Sequence, residues 1–285
     1  MTNRQVLTIQ NHDRDVMGMS YVYPVVSRRA GGVSVGINLN PNNACNWHCA
    51  YCQVPNLVRG SAPEIELALL RDELHQLLHD IVQGDFMAEH VPEDCRILCD
   101  VAISGNGEPT SCRSFDAVVD VVLEVMTVFH LAGNIPLRLI SNGSYVHKTH
   151  VQRGLHRMAE NKGEVWVKVD SVTKAGIERI NGVHADAALL YKQVKSVALV
   201  CPTWVQTCML AWDGQVPSDV EVDAYMAFLK RLKDDAVPVR GILLYGLARR
   251  SMQLEAEHVS ALDASWMEGF KAHVEAIGFS VKLSL

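Results

Sequence analysis

The sequence has no apolar run approaching the roughly 20 residues that cross a membrane, and its first residues, Met1 to Gln5, do not begin a signal peptide. We therefore expect a cytoplasmic protein with no membrane partner. Eight cysteines occur without a secretory signal. In a reducing compartment, grouped thiols are more often metal ligands than disulfides.

Strong charge of either sign is also lacking. Lysine and arginine number 26 against 32 aspartates and glutamates, a formal net charge of −6. This modest acidity argues against an extensive nucleic-acid surface, because such surfaces are basic. No internal repeat, low-complexity tract or linker interrupts the chain. We therefore predict one domain, residues 1–285, with a core over roughly residues 32–250.

The clearest chemical feature is a group of three thiols, Cys45, Cys49 and Cys52, spaced Cys-x3-Cys-x2-Cys. Structural zinc takes four ligands, usually brought together as two pairs. Iron–sulfur clusters are bound by cysteine thiolates, so three grouped cysteines indicate a 4Fe–4S cluster with one iron open to another ligand. Two alternatives remain: a zinc loop completed by His48, and three unrelated buried thiols.

Hydrophobic periodicity predicts strands and helices that alternate along the chain. Such alternation indicates parallel βαβ units and an α/β fold. Ser114 is a candidate N-cap, and Ser218 with Glu221 forms a candidate capping box. The predicted strands cover residues 21–26, 32–39, 96–104, 137–140, 165–170, 205–210, 239–244 and 279–283. The predicted helices cover residues 67–81, 118–129, 151–158, 186–199 and 263–277, with one more beginning at Ser218.

The three cysteines, with aromatic Tyr51 just before the last, resemble the cluster motif of the radical S-adenosylmethionine superfamily. The resemblance implies a partial (β/α)6 barrel, here with a short N-terminal extension and a C-terminal strand. It implies two cofactors, a 4Fe–4S cluster bound by Cys45, Cys49 and Cys52, and S-adenosyl-L-methionine on the open iron. One electron from the cluster would then cleave S-adenosylmethionine to a 5′-deoxyadenosyl radical, which abstracts hydrogen from a substrate.

Three later segments, each at the end of a predicted strand, match where this superfamily binds S-adenosylmethionine. They are Ser104 to Thr110, Ser141 to Gly143, and Lys168 with Asp170. The resemblance implies that Glu108 binds the amino group of its methionine moiety; Asn106 interrupts the usual glycine pair. Without the resemblance, an ordinary turn is favoured for Ser104 to Thr110 and is nearly as consistent with Ser141 to Gly143. Lys168 and Asp170 are then equally consistent with a structural ion pair or an exposed strand end. The cofactor-binding candidates are Tyr51, Ser104, Gly105, Asn106, Gly107, Glu108, Ser141, Asn142, Lys168 and Asp170.

Two residues near the ends of later strands are candidate catalytic groups. Cys208 and Tyr245 carry hydrogens that can be donated to a substrate radical, although each residue type is more often part of a packed core. Arg249 and Arg250 follow the sixth core strand and are candidates for binding an anionic group. For these two arginines a solvated loop is the favoured interpretation.

Within the superfamily, the segments Ser104 to Thr110 and Leu243 to Gly246 look most like the wyosine-tRNA-synthesis branch and its bacterial relatives. That branch has extra N-terminal cysteines for a second cluster, whereas here no cysteine precedes Cys45. The substrate therefore stays open, with a small molecule or nucleoside favoured over a protein. A flavodoxin or ferredoxin is the expected reductant. The alternatives are an activase that modifies a protein partner and a non-catalytic metal-binding protein.

Overall fold

The computed structural model describes residue 7, residues 18–27 and residues 31–285. Its centre is an eight-stranded sheet with the order β1-β2-β5-β6-β7-β8-β10-β12. These strands are β1 (Val22–Ser27), β2 (Gly32–Ile37), β5 (Leu98–Ile103), β6 (Leu137–Ser141), β7 (Glu164–Lys168), β8 (Thr203–Cys208), β10 (Val239–Tyr245) and β12 (Val281–Ser284). Four two-residue strands pair outside this sheet: β3 (Ala44–Cys45) with β4 (Val58–Arg59), and β9 (Ala211–Trp212) with β11 (Val259–Ser260).

Helices connect the sheet strands. They are α1 (Leu67–Val82), α2 (Phe86–His90), α3 (Phe115–Val128), α4 (Thr149–Glu160), α5 (Lys174–Asn181), α6 (Ala187–Ala198), α7 (Asp219–Asp234) and α8 (Ala264–Ala276). Within the eight-stranded sheet, every pair from β2 to β12 is parallel, and β1 pairs antiparallel on the outer edge of β2. Six parallel strands, each followed by a helix, plus the final strand β12, confirm the predicted partial (β/α)6 barrel.

The helical period located α1 correctly because one face of that helix is buried. Leu70, Leu74, Leu77 and Leu78 are fully buried against the sheet. All six residues of β2 are buried, as expected for a parallel strand covered on both faces. Such strands and helices must pack together to remove their apolar side chains from water, which fixes the layered arrangement.

Several local expectations differ from the structure. Helix α5 was not predicted, because it is short and has few apolar residues. Ser114 stands at the N-cap of α3 but makes no side-chain capping bond, whereas the capping box of Ser218 and Glu221 at α7 is confirmed. The predicted N-terminal extension lies largely outside the described residues, at residues 1–6, 8–17 and 28–30. Among the described helices, none has the length and apolarity of a membrane span.

Candidate cofactor site

Cys45, Cys49 and Cys52 border one cavity of about 270 Å³ at the carboxyl ends of the parallel strands. Most of the predicted cofactor-binding residues line the same cavity. They are Tyr51, Ser104, Gly105, Asn106, Gly107, Glu108, Ser141, Asn142 and Lys168. Residues from four separate chain segments therefore meet here, because parallel strands present their carboxyl ends at one edge of the sheet.

Three predicted residues lie beside this cavity. Asp170 and Cys208 line a neighbouring cavity of about 370 Å³ between the ends of β7 and β8 and the helices α5 and α7. Cys208 is fully buried. Tyr245 ends β10, and its hydroxyl oxygen is 3.4 Å from that of Tyr51. The candidate hydrogen donors are therefore close to the cysteine loop, although the catalytic role given to them stays a prediction.

The cysteine loop is held on one side by the end of α5. The main-chain N–H of His48 donates to the carbonyl oxygen of Asn181 at 3.0 Å, and that of Ala50 donates to Ile180 at 2.8 Å. Gly182 ends the helix with φ of 63°. A Cβ at this glycine would lie 2.6 Å from the carbonyl oxygen of His48, so a larger residue would push α5 away from the loop.

The segment after β10 holds the other side of the loop. The Ser251 hydroxyl donates to the carbonyl oxygen of Ala50 at 2.7 Å. The side-chain amide of Gln253 donates to the carbonyl oxygens of Cys52 at 3.1 Å and Val54 at 2.8 Å. Buried main-chain carbonyls in a short loop need such partners, and these bonds fix the course of the loop around its thiols.

Burial keeps the thiols of Cys45 and Cys49 protonated in the absence of a metal, so binding iron as thiolates would release their protons. Burial raises the pKa of Cys45 to about 12 and that of Cys49 to about 11. Two N–H donors point at sulfur: the main chain of Trp47 is 3.4 Å from the Cys45 Sγ, and the Asn181 Nδ2 is 3.5 Å from the Cys49 Sγ. Such donors stabilise a thiolate once the proton has left.

The donor set fits an iron–sulfur cluster. Zinc in a closed site needs four ligands around one ion. Within residues 7, 18–27 and 31–285, no three His, Cys, Asp or Glu side chains are grouped so that they could hold a single ion. Cys45, Cys49 and Cys52 border the cavity from one loop, and three cysteine ligands are suited to a 4Fe–4S cluster that leaves one iron open.

The glycine turn packs against the cysteine loop. A Cβ on Gly107 would overlap the carbonyl oxygen of Ala44 in β3, and a Cβ on Gly105 would overlap the Asn38 side chain. Neither glycine has positive φ, so close packing is what requires them. Asn106 donates from its main chain to the Asn38 Oδ1 at 3.0 Å. The residue that interrupts the glycine pair therefore helps to join the turn to the end of β2.

Glu108 lies buried at the start of a short 3₁₀ turn, and its carboxylate is held entirely by the chain. It accepts hydrogen bonds from the hydroxyl and main-chain N–H of Thr110, from the Ser141 hydroxyl at 2.7 Å and from the Asn142 N–H at 2.7 Å. Burial raises the pKa of this carboxyl and the four hydrogen bonds oppose the rise; the net direction is upward. Glu108 thus joins the glycine turn to the end of β6.

Lys168 and Asp170 form a buried ion pair with Nζ and Oδ2 3.2 Å apart. The Tyr51 hydroxyl donates to Asp170 at 2.6 Å, and Lys168 donates to Tyr51. Burial alone would lower the pKa of Lys168, but the Asp170 carboxylate together with Tyr245, Cys49 and Cys208 raises it, and that pKa lies well above its ordinary value. The ion pair expected as one alternative is present, and it links the end of β7 to the cysteine loop.

The cavity also extends into the barrel. Ser34, Asp100, Arg138 and Trp166 line it below the glycine turn. Arg138 binds both Asp100 and Glu164, the latter at 2.7 Å, and its guanidinium lies 4.9 Å from the centre of the Trp166 ring. These residues of the barrel interior were not predicted from the sequence. A charged residue in a strand does not by itself indicate which face of the strand points into the barrel.

The two arginines after β10 have different surroundings. Arg249 is half-buried and lines the cavity, and its role as an anion-binding residue stays a prediction. Arg250 is exposed and pairs with exposed Glu257. Asn181, Ser251 and Gln253 were also missed as contacts of the cysteine loop. Their contacts depend on the tertiary fold, and neither their spacing nor their residue type marks them in the sequence.

Comparison with solved structures shows the fold of the radical S-adenosylmethionine enzymes. A radical SAM methyltransferase from Sphaerobacter thermophilus superposes with a TM-score of 0.60 at 12% identity, over 89% of this chain and 66% of that one. TYW1 with a lysine-pyruvate adduct gives 0.54 at 15% identity, over 88% and 74%. SuiB of Streptococcus suis bound to S-adenosylmethionine gives 0.52 at 11% identity, over 87% and 45%. The predicted superfamily fold is confirmed.

Sequence similarity to curated proteins covers only part of the chain. The chain is 28% identical over 166 residues to the UPF0026 protein MJ1312 of Methanocaldococcus jannaschii. It is 23% identical over 156 residues to the GTPase Obg of Brachyspira hyodysenteriae. These matches cover 58% and 54% of this chain, but 45% and 20% of the relatives' lengths. No protein-family model matches the chain.

Proposed function

We propose that this protein is a radical S-adenosylmethionine enzyme. The observation that carries the proposal is the meeting of Cys45, Cys49 and Cys52 with the glycine turn in one cavity, at the strand ends of a radical S-adenosylmethionine fold. Fold alone does not define an activity, since unrelated chemistries share folds. The thiols and the turn add a site whose residue types suit this chemistry.

The chain would hold its cofactors with residues already in position. Cys45, Cys49 and Cys52 would bind three irons of a 4Fe–4S cluster. S-adenosylmethionine would bind on the remaining iron, against the turn from Ser104 to Gly107 and the strand end at Ser141 and Asn142. When bound, the two cofactors supply a 5′-deoxyadenosyl radical after one-electron reduction.

The remaining side chains would orient the ligands and exclude water. Glu108 holds the glycine turn against β6, which keeps the methionine-binding surface in place. Lys168 and Tyr51 close the wall between the cysteine loop and β7. A carbon radical reacts with whatever it meets first, so an enclosed barrel that excludes solvent directs it toward the substrate.

The substrate class we favour is a small molecule or nucleoside. The cavity continues inside the barrel to Ser34, Asp100 and Arg138, and these polar side chains suit a compact ligand with hydrogen-bonding groups. Cys208 and Tyr245 remain candidates for returning a hydrogen atom to a substrate radical. A one-electron carrier such as a flavodoxin or ferredoxin would supply the electron.

Anaerobic reconstitution with iron and sulfide tests the proposal. The reduced protein is given S-adenosylmethionine, and iron, sulfide and 5′-deoxyadenosine are measured together. About four irons per chain and formation of 5′-deoxyadenosine are expected. Bound zinc, or a cluster that never cleaves S-adenosylmethionine, would overturn the proposal and favour a metal-binding protein.

A matched pair of cysteine variants sharpens this test. Cys49→Ala is expected to lose both the cluster absorbance and the cleavage of S-adenosylmethionine. Cys95→Ser changes a half-buried thiol in a 3₁₀ turn before β5 and is expected to keep both. Equal loss in the two variants would show that the assay reports general thiol damage instead of cluster ligation.

A further inference from the structure

We propose that the side-chain amide of Asn181 raises the reduction potential of the cluster by donating a hydrogen bond to the sulfur of Cys49. The inference rests on the proposed function, because it concerns the cluster that the three cysteines would bind. It assigns a positioning and tuning role to a residue at the end of α5, which lies outside the cysteine motif and the glycine turn.

The contact is between the Asn181 Nδ2 and the Cys49 Sγ, which are 3.5 Å apart. The same nitrogen lies 2.7 Å from the Asp170 Oδ2. An amide nitrogen carries two hydrogens, so it can donate to both atoms at once. Within the described residues, Cys49 is the one cluster thiol that a side chain from outside the loop reaches with an N–H donor.

The amide is held in this orientation by its second acceptor. Asp170 is itself fixed, because its carboxylate also accepts the main-chain N–H of Cys208 at 2.9 Å and the Tyr51 hydroxyl at 2.6 Å, and pairs with Lys168. Asn181 is 1% exposed. Water therefore does not compete for the amide, and rotation would break a buried hydrogen bond to a carboxylate.

Hydrogen bonds to cysteine sulfur are among the factors that set the potential of an iron–sulfur cluster. Reduction adds one negative charge to the cluster, and part of that charge lies on its sulfurs. An N–H pointing at sulfur stabilises the reduced form more than the oxidised form. Losing the donor should therefore make reduction harder and lower the potential.

Replacement of the side chain should leave the loop in place. The main-chain carbonyls of Asn181 and Ile180 hold His48 and Ala50, and these bonds do not involve the amide. Asn181→Leu keeps the branched shape of the side chain, with the same number of heavy atoms, and removes both N–H donors. Gln253→Leu is the matched control: it removes a buried amide that holds the same loop, but that amide donates to carbonyl oxygens instead of sulfur.

The experiment is a dithionite titration of reconstituted protein, followed by electron paramagnetic resonance, with iron content measured for each variant. For Asn181→Leu we expect the equilibrium constant for reduction of the cluster to fall about tenfold. This corresponds to a shift of about 59 mV to lower potential for a one-electron couple. In Gln253→Leu this equilibrium constant should stay within about threefold of the parent value. If Asn181→Leu loses iron, Asn181→Ser is titrated in its place, with the same direction of shift expected.

Two results would overturn the inference. One is a reduction equilibrium constant for the Asn181 variants that stays within about threefold of the parent value. The other is an equal shift of that constant in Gln253→Leu. These results differ from failure of the proposed function. In that case the parent protein itself would hold no 4Fe–4S cluster or would not cleave S-adenosylmethionine. A parent that loads and cleaves normally, with an unchanged potential in the variant, would refute the role of Asn181 alone.

Discussion

The carboxylate of Glu108 accepts the main-chain N–H of Asn142 at 2.7 Å, so the glycine turn after β5 is hydrogen-bonded to the end of β6. Further donors from Thr110 and Ser141 occupy the same carboxylate. Glu108 is therefore a structural link between two strand ends as well as a candidate cofactor contact. Changing it should affect the protein even when no cofactor is bound.

We expect Glu108→Gln to destabilise the cofactor-free protein by about 2 kcal/mol, because an amide NH₂ would face one of the N–H or O–H donors and leave it buried without an acceptor. Thermal unfolding of the cofactor-free protein measures this effect. Glu124→Gln, at an exposed pair with Arg71, should change stability by less than about 0.5 kcal/mol. Equal effects of the two substitutions would contradict the structural role.

The ion pair between Lys168 and Asp170 should be strongly coupled. Lys168→Met leaves the fully buried Asp170 carboxylate without its cation, and we expect a loss of about 3 kcal/mol. Adding Asp170→Asn removes the uncompensated charge, so the double variant should recover at least about 1 kcal/mol. Chemical denaturation of the two single variants and the double variant measures the coupling. Simple additivity would show that the pair contributes no mutual stabilisation.

Gly107→Ala should disturb the cysteine loop, because the added Cβ would overlap the carbonyl oxygen of Ala44, next to Cys45. We expect a lower unfolding temperature and less than half of the parent iron content after reconstitution. Gly269→Ala makes the same change in α8, where nothing lies within 4 Å. There a modest gain of about 0.5 kcal/mol is expected, since alanine favours a helix. Normal iron loading in Gly107→Ala would argue against the close packing.

Helices α3 and α4 are linked by Asp116 and Arg153, whose Oδ2 and Nε are 2.9 Å apart. Partial burial would raise the pKa of Asp116, but the hydrogen bonds and charge of Arg153, together with main-chain N–H donors, outweigh it and the pKa lies below its ordinary value. A carboxyl with a lowered folded-state pKa contributes stability above its unfolded pKa of about 3.9 and loses it as pH falls through the folded value.

Asp116→Asn should therefore cost about 0.5 kcal/mol at pH 7 and progressively less as pH falls below about 4. Urea unfolding of parent and variant at pH 7 and pH 3 gives the two differences. High salt at pH 7 should also reduce the cost, because the pair is partly exposed and screened. A difference that persists unchanged at pH 3 would mean that Asp116 acts through packing instead of charge.

Much of the architecture could be predicted from the sequence because it depends on periodicity. The repeat of Leu70, Leu74 and Leu77 marks α1, and the buried run of β2 marks a central strand. Helix α5 escaped prediction, since its eight residues contain few apolar positions. Its importance comes from where its end lies, against the cysteine loop.

The sequence alone determined the chemical identity of the site: three thiols in one loop and a glycine turn one βα unit later, because spacing and residue type are local properties. The tertiary structure alone decided which distant groups surround them. Asn181 reaches Cys49, Gln253 holds the loop, and Arg138 lies within the barrel floor. These contacts join residues far apart in the chain, and they exist only once the parallel strands have aligned their ends.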